Sequence, residues 1–340
     1  MGLQPGVDSA LGVRLRPAMY VGGRDYFGFI QYLVCAVDVH LNHGATWIEV
    51  VGGEAIRVVS DALLPVRVLE GGEVEPFDRF PLVKGKADRF DAVILTGLSR
   101  ELSVCVDDGR EVVRGSWKDG VRVSFERGES GSGVSSLELV MVPDQTIFST
   151  TAVSPAALRS YLRRMSFLHS SRRFRLVLGD QTEEFYQADG IADLFDAMIT
   201  PFQVLHQPIH FRMVDGDLDL EVIFVFHSWH QNHVWSFANH GRVPEGGPHH
   251  QGFLKAIRRL RKKLGVTPGV LGLLSLKSDE LVYEGCIKEK LGDPALAVRV
   301  AKLTWRGIEE WMSSHGGETF ETLETFQFAE NWYGMGSSGG

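Results

Sequence analysis

Short strand-forming segments, separated by turn residues, set the strongest limit on how this chain can fold. Apolar and polar residues alternate in these segments, and Gly109 and Gly120 lie in the turns of the first group. The segments fall into two groups, at 102–106, 112–117, 121–125 and 137–142, and at 209–214, 218–226 and 233–239. A period of two residues with glycine-containing turns is typical of antiparallel sheets. The sequence therefore predicts two parts that both contain β-strands.

Helical periodicity appears before, between and after these groups. Apolar residues recur at intervals of three and four between Gly28 and Asn42, and Ser154-Pro155 is typical of a helix start. The predicted helices are 28–42, 154–169, 192–199, 252–264 and 294–313. The sequence predicts an α+β protein with a boundary near Pro201. Its predicted parts are residues 1–200, residues 201–314 and an acidic, partly disordered tail at 315–340.

Length and composition agree with a two-domain globular protein. The chain has 340 residues, of which 44% are hydrophobic and 23% charged. No apolar run approaches the ~18 residues of a membrane span, so no membrane association is expected. Cys35, Cys105 and Cys286 are odd in number and lie far apart, which favours a reducing, cytoplasmic location. The net charge of −8 argues against a stand-alone nucleic-acid binder but permits local basic patches.

Several collinear segments resemble the gyrase B family of DNA topoisomerases. Residues 16–22 read RPAMYVG, and residues 237–247 read FANHGRVPEGG. The segments 144–150, 158–169 and 283–292 are also similar to that family and follow its order, so that the resemblance covers roughly residues 12–312. It implies a GHKL (Bergerat-type) α/β sandwich, followed by a transducer domain with a ribosomal S5 domain 2-like fold.

The resemblance also implies a nucleotide site whose two main groups are replaced here. The family uses a glutamate as the base for ATP hydrolysis and an asparagine to hold Mg²⁺, both on its first long helix. With Gly28 on the family's helix-start glycine, those positions fall on Cys35 and Val39. A thiol and an isopropyl group supply neither a carboxylate base nor an oxygen ligand. No glutamate occurs between Met1 and Trp47, so a shift in register does not restore the base.

Other parts of the implied nucleotide site are reduced as well. Asp61 is retained, but residues 62–64 read ALL where the family has a flexible Gly-x-Gly turn, and Gly85 is the one glycine in the expected lid. Lys288 survives from a Gln-Thr-Lys loop that reads Cys-Ile-Lys here. Asp38, Asp61 and Lys288 are the predicted residual nucleotide contacts, with capping or surface roles as the alternative. No cofactor is expected; ATP and Mg²⁺ would bind if the site were active.

A basic helix suggests a different kind of binding. Six of the nine residues at 255–263 are basic, and they are Lys255, Arg258, Arg259, Arg261, Lys262 and Lys263. Such a cluster is able to neutralise DNA phosphates or to bind a partner. The alternatives are a solvated face, or a face covered by the acidic segment 309–330. The triplet His227, His230 and His233 has spacing that suits a metal, but without nearby cysteines we expect no metal site.

These features favour a degenerate gyrase B-like protein that does not hydrolyse ATP. Its expected role is that of a binding or regulatory partner of a topoisomerase subunit or a DNA-associated assembly. One alternative is a divergent ATPase subunit of a split type II topoisomerase. Another is a plain DNA-binding module. The sequence leaves the partner and the oligomeric state open.

Overall fold

A computed structural model describes residues 9–81, 90–200, 202, 204–285 and 288–315. The chain divides into two compact units, Met1–Ala188 and Asp189–Gly340. This division falls before the predicted boundary at Pro201, because the helix at Ile191–Ile199 contacts strands of the second unit. Three sequence predictions lie outside the described residues: most of the acidic tail, the lid around Gly85, and Cys286 with its neighbour Ile287.

The first unit begins with helices and places a long one in its core. Its helices are α1 Ala10–Leu15, α2 Pro17–Val21, α3 Tyr26–Asn42, α4 Asp91–Leu98 and α5 Pro155–Leu168. α3 starts at Asp25, whose carboxylate accepts a hydrogen bond from the Gly28 amide, and α5 starts at Ser154, which accepts from Ala157. Both residues are typical helix caps, since they satisfy amides that the first helical turn leaves free.

A mixed sheet of eight strands forms the rest of the first unit. The strands of the unit are β1 Trp47–Gly52, β2 Ile56–Ser60, β3 Arg67–Val68, β4 Val74–Glu75, β5 Ser99–Asp108, β6 Glu111–Lys118, β7 Val121–Glu129, β8 Ser135–Pro143, β9 Arg173–Leu178 and β10 Gln181–Phe185. The large sheet has the order β10-β9-β1-β2-β8-β5-β6-β7, with β1 and β9 parallel. The sequence predicted β5, β6, β7 and β8 of this sheet but not the separate β3–β4 hairpin.

Burial alternates along the central strands of this sheet, as the sequence pattern predicts. In β8, Leu137, Leu139 and Met141 are fully buried, whereas Glu138 lies on the opposite face and pairs with Arg57. The period-two pattern therefore identifies one apolar face and one charged face. The apolar face supplies much of the core of the first unit.

The second unit packs helices against a five-stranded sheet. Its elements are α6 Ile191–Ile199, β11 Ile209–Asp215, β12 Leu218–His227, β13 His233–Ala238, β14 Gly241–Arg242, α7 Pro248–Leu264, β15 Gly269–Lys277, β16 Tyr283–Glu284, β17 Lys290–Leu291 and α8 Ala295–His315. The sheet order is β11-β12-β15-β13-β14, with β13 and β15 parallel. α7 and α8 lie in close contact at Gly252, where an added Cβ would be 2.5 Å from the Ala297 carbonyl oxygen.

Along the described ranges, no helix has both the length and the apolar character needed to cross a lipid bilayer.

Candidate functional site

A pocket lies at the C-terminal end of α3, which is the helix that the sequence assigns to nucleotide chemistry. Val39, Asn42 and His43 form its α3 side. Leu64 and Pro65, which follow β2, line another side. The pocket measures about 80 Å³, which is room for several water molecules. An open space therefore exists beside the position that the family uses for its metal asparagine.

The polar groups that line the pocket are not those predicted from the sequence. Arg67, Glu75 and Asp91 line it together with Asn42 and His43. Asp91 is 5% exposed, and the Asn42 side-chain amide lies 3.5 Å from its Oδ2 atom. Sequence reasoning missed Glu75 and Asp91. The one signal for Asp91 was an acidic residue in the first turn of a helix, which is common for structural reasons alone.

The two replaced positions lie on the buried side of α3. Cys35 is 8% exposed and Val39 is 2% exposed. Val39 lines the pocket, and Cys35 lies one turn earlier on the same helix. Their side chains offer no carboxylate and no oxygen ligand to a metal–phosphate complex. The described residues at these two positions therefore do not fit a bound Mg²⁺–triphosphate.

Asp38, a predicted nucleotide contact, is directed into the core. It is 8% exposed, and the Tyr161 hydroxyl of α5 donates to its Oδ1 atom over 3.5 Å. Burial raises the pKa of Tyr161 well above its ordinary value, and the neighbouring Asp38 charge raises that pKa further. Asp38 contacts α5 and is absent from the pocket lining.

Asp61, the second predicted contact, holds the start of β1. Its carboxylate accepts hydrogen bonds from the backbone amides of Thr46, at 2.8 Å, and Trp47, at 3.3 Å, and from the Thr46 hydroxyl. Burial alone would raise the pKa of Asp61, but these hydrogen bonds outweigh it and lower the pKa. The described hydrogen bonds of its carboxylate thus go to Thr46 and Trp47, and Asp61 does not line the pocket.

The residue just before Asp61 forms a buried pair that the sequence did not reveal. The Ser60 hydroxyl lies 2.7 Å from His40 Nδ1 and also accepts a hydrogen bond from the Ala62 amide. Burial, and then the nearby His43, lower the pKa of His40 to about 3. His40 is therefore neutral at physiological pH, and the pair joins the end of β2 to α3. Neither residue carries a sequence signal, because a lone histidine and serine occur in many contexts.

Lys288, the third predicted contact, belongs to the second unit. Its backbone has φ of 56°, and its Nζ atom lies 5.9 Å from the centre of the Tyr283 ring. The structure therefore places Asp38 and Asp61 in one compact unit and Lys288 in the other.

The basic cluster of α7 divides into five exposed cations and one inward-facing arginine. The exposed residues are Lys255, Arg258, Arg259, Lys262 and Lys263. Arg261 is partly buried; it donates to Asn232 Oδ1 at 2.8 Å, and its guanidinium lies 5.5 Å from the Phe226 ring centre. Burial lowers the pKa of Arg261. The predicted six-residue surface is corrected accordingly, because Arg261 follows the helical period to the apolar side of α7.

The histidines near β12 are engaged in structural hydrogen bonds. His227 Nδ1 accepts from the Trp229 amide at 3.2 Å, and its Nε2 donates to the Gln231 carbonyl at 2.9 Å. Both ring nitrogens are therefore occupied by the loop that follows. Within the described part of the chain, no group of three or more His, Cys, Asp or Glu side chains could hold a metal ion.

Similar proteins identify the fold independently. No family model matches the chain. It is 29% identical to the gyrase B protein of Eisenibacter elegans over 177 residues, which cover 44% of this chain and 37% of the relative. It is 22% identical to the gyrase B protein of Archaeoglobus fulgidus, over 94% of this chain and 57% of the relative. The chain thus spans about half the length, or less, of these curated relatives.

The structural comparison covers nearly the whole chain. The 43K ATPase domain of Thermus thermophilus gyrase B, solved in complex with an aminocoumarin, superposes with a TM-score of 0.76 at 22% sequence identity. The match covers 96% of this chain and 97% of that one. The chain is therefore similar in sequence to DNA gyrase B over most of its length, and its fold is that of the gyrase B ATPase region, a GHKL domain followed by a transducer domain.

Proposed function

We propose that this protein is a gyrase B-like binding module that does not hydrolyse ATP and that serves a topoisomerase or a DNA-associated assembly. The single observation that carries the proposal is the pair Cys35 and Val39 on α3, at the positions of the family's base and metal ligand. Positioned proton transfer contributes about 10²–10⁴-fold to catalysis, so its loss removes most of the acceleration. Loss of the metal ligand acts in the same direction.

The surroundings of α3 support this proposal. Asp38 is hydrogen-bonded to Tyr161, and Asp61 is occupied by Thr46 and Trp47, so neither retained aspartate faces the pocket. A substitute base would have to come from other residues of the pocket. The described lining offers two carboxylates, on Glu75 and Asp91.

Those two carboxylates favour the rival function, a divergent ATPase. Asp91 is buried beside Asn42, and a carboxylate within a pocket is the kind of group that acts as a general base. If the protein hydrolyses ATP through Asp91, an Asp91→Asn substitution abolishes turnover. Glu75→Gln does the same if Glu75 is the base.

The test measures ATP binding and ATP turnover separately. Isothermal titration with Mg²⁺-ATP reports binding, and a coupled phosphate-release assay reports turnover, with an active gyrase B fragment as the positive control. We expect no turnover above background for the natural chain. Turnover that is lost in Asp91→Asn or Glu75→Gln would show that the protein is an ATPase. A Cys35→Glu/Val39→Asn double variant examines whether restoring both groups creates measurable hydrolysis.

The exposed cations of α7 provide the binding surface in this proposal. α7 contains no aspartate or glutamate, and no described carboxylate lies within 4.0 Å of Lys255, Arg258 or Lys262. Exposed cations with no described carboxylate beside them suit a polyanionic partner such as DNA. Affinity should then fall with salt, with a log–log slope set by the number of phosphates contacted.

Charge reversal tests this surface directly. Lys255→Glu/Arg258→Glu/Lys262→Glu should weaken binding to duplex DNA and flatten its salt dependence, whereas Lys118→Glu, an exposed cation on β6, is the matched control. Arg261 is left intact because its side chain holds Asn232. Equal binding by the triple variant and the natural chain would exclude α7 as the DNA contact, and a topoisomerase subunit would then be the partner to examine.

A further inference from the structure

A cluster of rings lies on the second unit beside α7, and none of its members has a role in the function proposed above. This aromatic surface consists of Phe202, Trp229, His233 and Trp235. Phe202 contacts Trp229 and His233 with ring centroids 5.3 and 5.6 Å apart, and His233 stacks on Trp235 at 6.5 Å with an interplanar angle of 22°. Trp229 is 54% exposed, so a large part of its indole ring faces solvent.

The loop that carries Trp229 is fixed by contacts of its backbone. The Trp229 amide donates to His227 Nδ1 at 3.2 Å, and its carbonyl accepts from the Gly269 amide at 2.6 Å. Gly269 allows this approach, because an added Cβ would overlap the carbonyl oxygens of Trp229 and Gln231. The loop is therefore held in one conformation while its largest side chain is left exposed.

The next part of the loop is tied to α7. Asn232 Oδ1 accepts from the Val270 amide at 3.2 Å and from the Arg261 guanidinium at 2.8 Å. Arg258 precedes Arg261 by three residues, about one helical turn, and is exposed. The loop that carries Trp229 is thus bonded to the helix that carries the exposed cations.

We propose that the aromatic surface and α7 together bind single-stranded nucleic acid, with bases stacking on Trp229 and phosphates contacting the α7 cations. A single strand exposes the flat faces of its bases, whereas a duplex buries them in its stack, so an exposed ring on a fixed loop adds affinity for single strands. The α7 cations supply the phosphate contacts that such a site also requires. The inference rests on the polyanion contact proposed for α7 and adds the form of nucleic acid that is preferred.

The experiment compares one single-stranded and one duplex probe by fluorescence anisotropy. The single-stranded probe is a labelled oligothymidylate of about 20 nucleotides, longer than the roughly 4–16 nucleotides that compact single-strand-binding folds cover. We expect Trp229→Ala to weaken binding of this probe by about 5- to 150-fold, which corresponds to roughly 1–3 kcal/mol per stacked base. Duplex binding should be unchanged. Trp229→Phe, which keeps a stacking ring, should retain most of the affinity.

The controls separate the two proposals. Val298→Ala removes a side chain on α8 that is 68% exposed and should change neither affinity. Circular dichroism should show that Trp229→Ala still folds cooperatively, because the contacts that fix the loop use the backbone, with the melting temperature lowered only by loss of the Phe202 ring contact. Unchanged single-strand affinity in Trp229→Ala, or equal losses for both probes, would overturn stacking at Trp229. Unchanged binding of both probes by the α7 triple variant would overturn the cationic contact instead, and binding of neither probe by the natural chain would overturn both.

Discussion

The helices α3 and α7 have the same length, 17 residues, but opposite relations to solvent. Eleven residues of α3 are buried, whereas six residues of α7 are buried and form a single stripe. α3 has no lysine or arginine, and α7 has six. α3 is therefore largely enclosed by the first unit, whereas α7 exposes one face to solvent.

This difference shows where a fold can change its chemistry at low cost. On α3, a charged group has to be paired or bound to a ligand, because burying an isolated charge is expensive. Cys35 and Val39 avoid that cost and leave the helix packed. On α7, the outward positions face solvent, so cations there keep most of their hydration and cost little. In both helices the buried residues are mostly apolar and pack within their own unit, so neither the replacements on α3 nor the cations on α7 disturb the core.

The largest effect expected of a single substitution concerns the close contacts that both helices make through a glycine. An added Cβ at Gly28 would overlap the Gly23 carbonyl oxygen, and one at Gly252 would lie 2.5 Å from that of Ala297. Because backbone atoms must move in both cases, Gly28→Ala and Gly252→Ala should each lower the free energy of unfolding by about 1–3 kcal/mol. Urea denaturation followed by circular dichroism measures the change.

Gly131→Ala is the matched control for these two variants. No atom lies within 4 Å of a Cβ at Gly131, so its effect should remain within about 0.5 kcal/mol. If Gly252→Ala were as mild as this control, the contact between α7 and α8 would be looser than the structure indicates. The buried face of α7 would then be less tightly packed than that of α3.

A second prediction concerns acid, to which the second unit should be more sensitive. Burial lowers the pKa of His206 to about 4 and that of His249 to about 3, and it lowers the pKa of His227 and His250 as well. In the first unit, a shift of this kind is described for His40. At pH values below the unfolded pKa of about 6.5, the unfolded state binds protons that the folded state does not.

The stability from these histidines is complete above about pH 6.5 and is lost as the pH falls towards their folded pKa values. Each histidine with a strongly lowered pKa should reduce the free energy of unfolding by roughly 2 kcal/mol between about pH 6.5 and pH 5. Asp61 and Asp144 also have a lowered pKa, but the stability that they provide is lost only at lower pH and stays unchanged between about pH 6.5 and pH 5. Hydrogen exchange corrected for intrinsic rates should show protection lost first in the second unit. Earlier loss in the first unit would contradict the prediction.

The smallest expected effect lies on the open face of α7 itself. The Arg259 guanidinium lies 3.8 Å from the centre of the Trp305 ring of α8, whereas no such ring contact is described for Lys255. Arg259→Ala should lower the free energy of unfolding by about 0.5–1 kcal/mol through loss of this cation–π contact. Lys255→Ala should have no measurable effect on unfolding. Equal changes in the free energy of unfolding for the two variants would mean that the contact between Arg259 and Trp305 does not stabilise the protein.

Much of the fold followed from the sequence because period and turn chemistry are local. The predicted helix at 28–42 is α3, Tyr26–Asn42, and the predicted strands at 112–117 and 137–142 lie within β6 and β8. The strand order and the parallel pair β1–β9 depend on contacts between distant segments, which no local pattern encodes. The short β3–β4 hairpin has too few residues to show a period.

The candidate site was less accessible from the sequence, because residue type does not fix side-chain direction. Cys35 and Val39 were located correctly on α3, but the prediction that they leave the site without hydrolysis awaits the turnover assay. Asp61 follows β2, and its carboxylate accepts hydrogen bonds from the start of β1 and does not line the pocket. Arg261 was counted with its basic neighbours, although the helical period turns it towards Phe226. Asp91 joins the pocket through the packing of α4 beside α3, a tertiary contact.

The inward direction of Arg261 also has a practical consequence for redesign. Its bond to Asn232 anchors the loop of Trp229, whereas Lys255, Arg258 and Lys262 hold nothing else in the described structure. Substitutions can therefore reverse the charge of the exposed face of α7 without changing the conformation of the Trp229 loop. A variant with acidic residues at positions 255, 258 and 262 and with Arg261 intact would keep the Trp229 loop in place, while its α7 would repel phosphate groups.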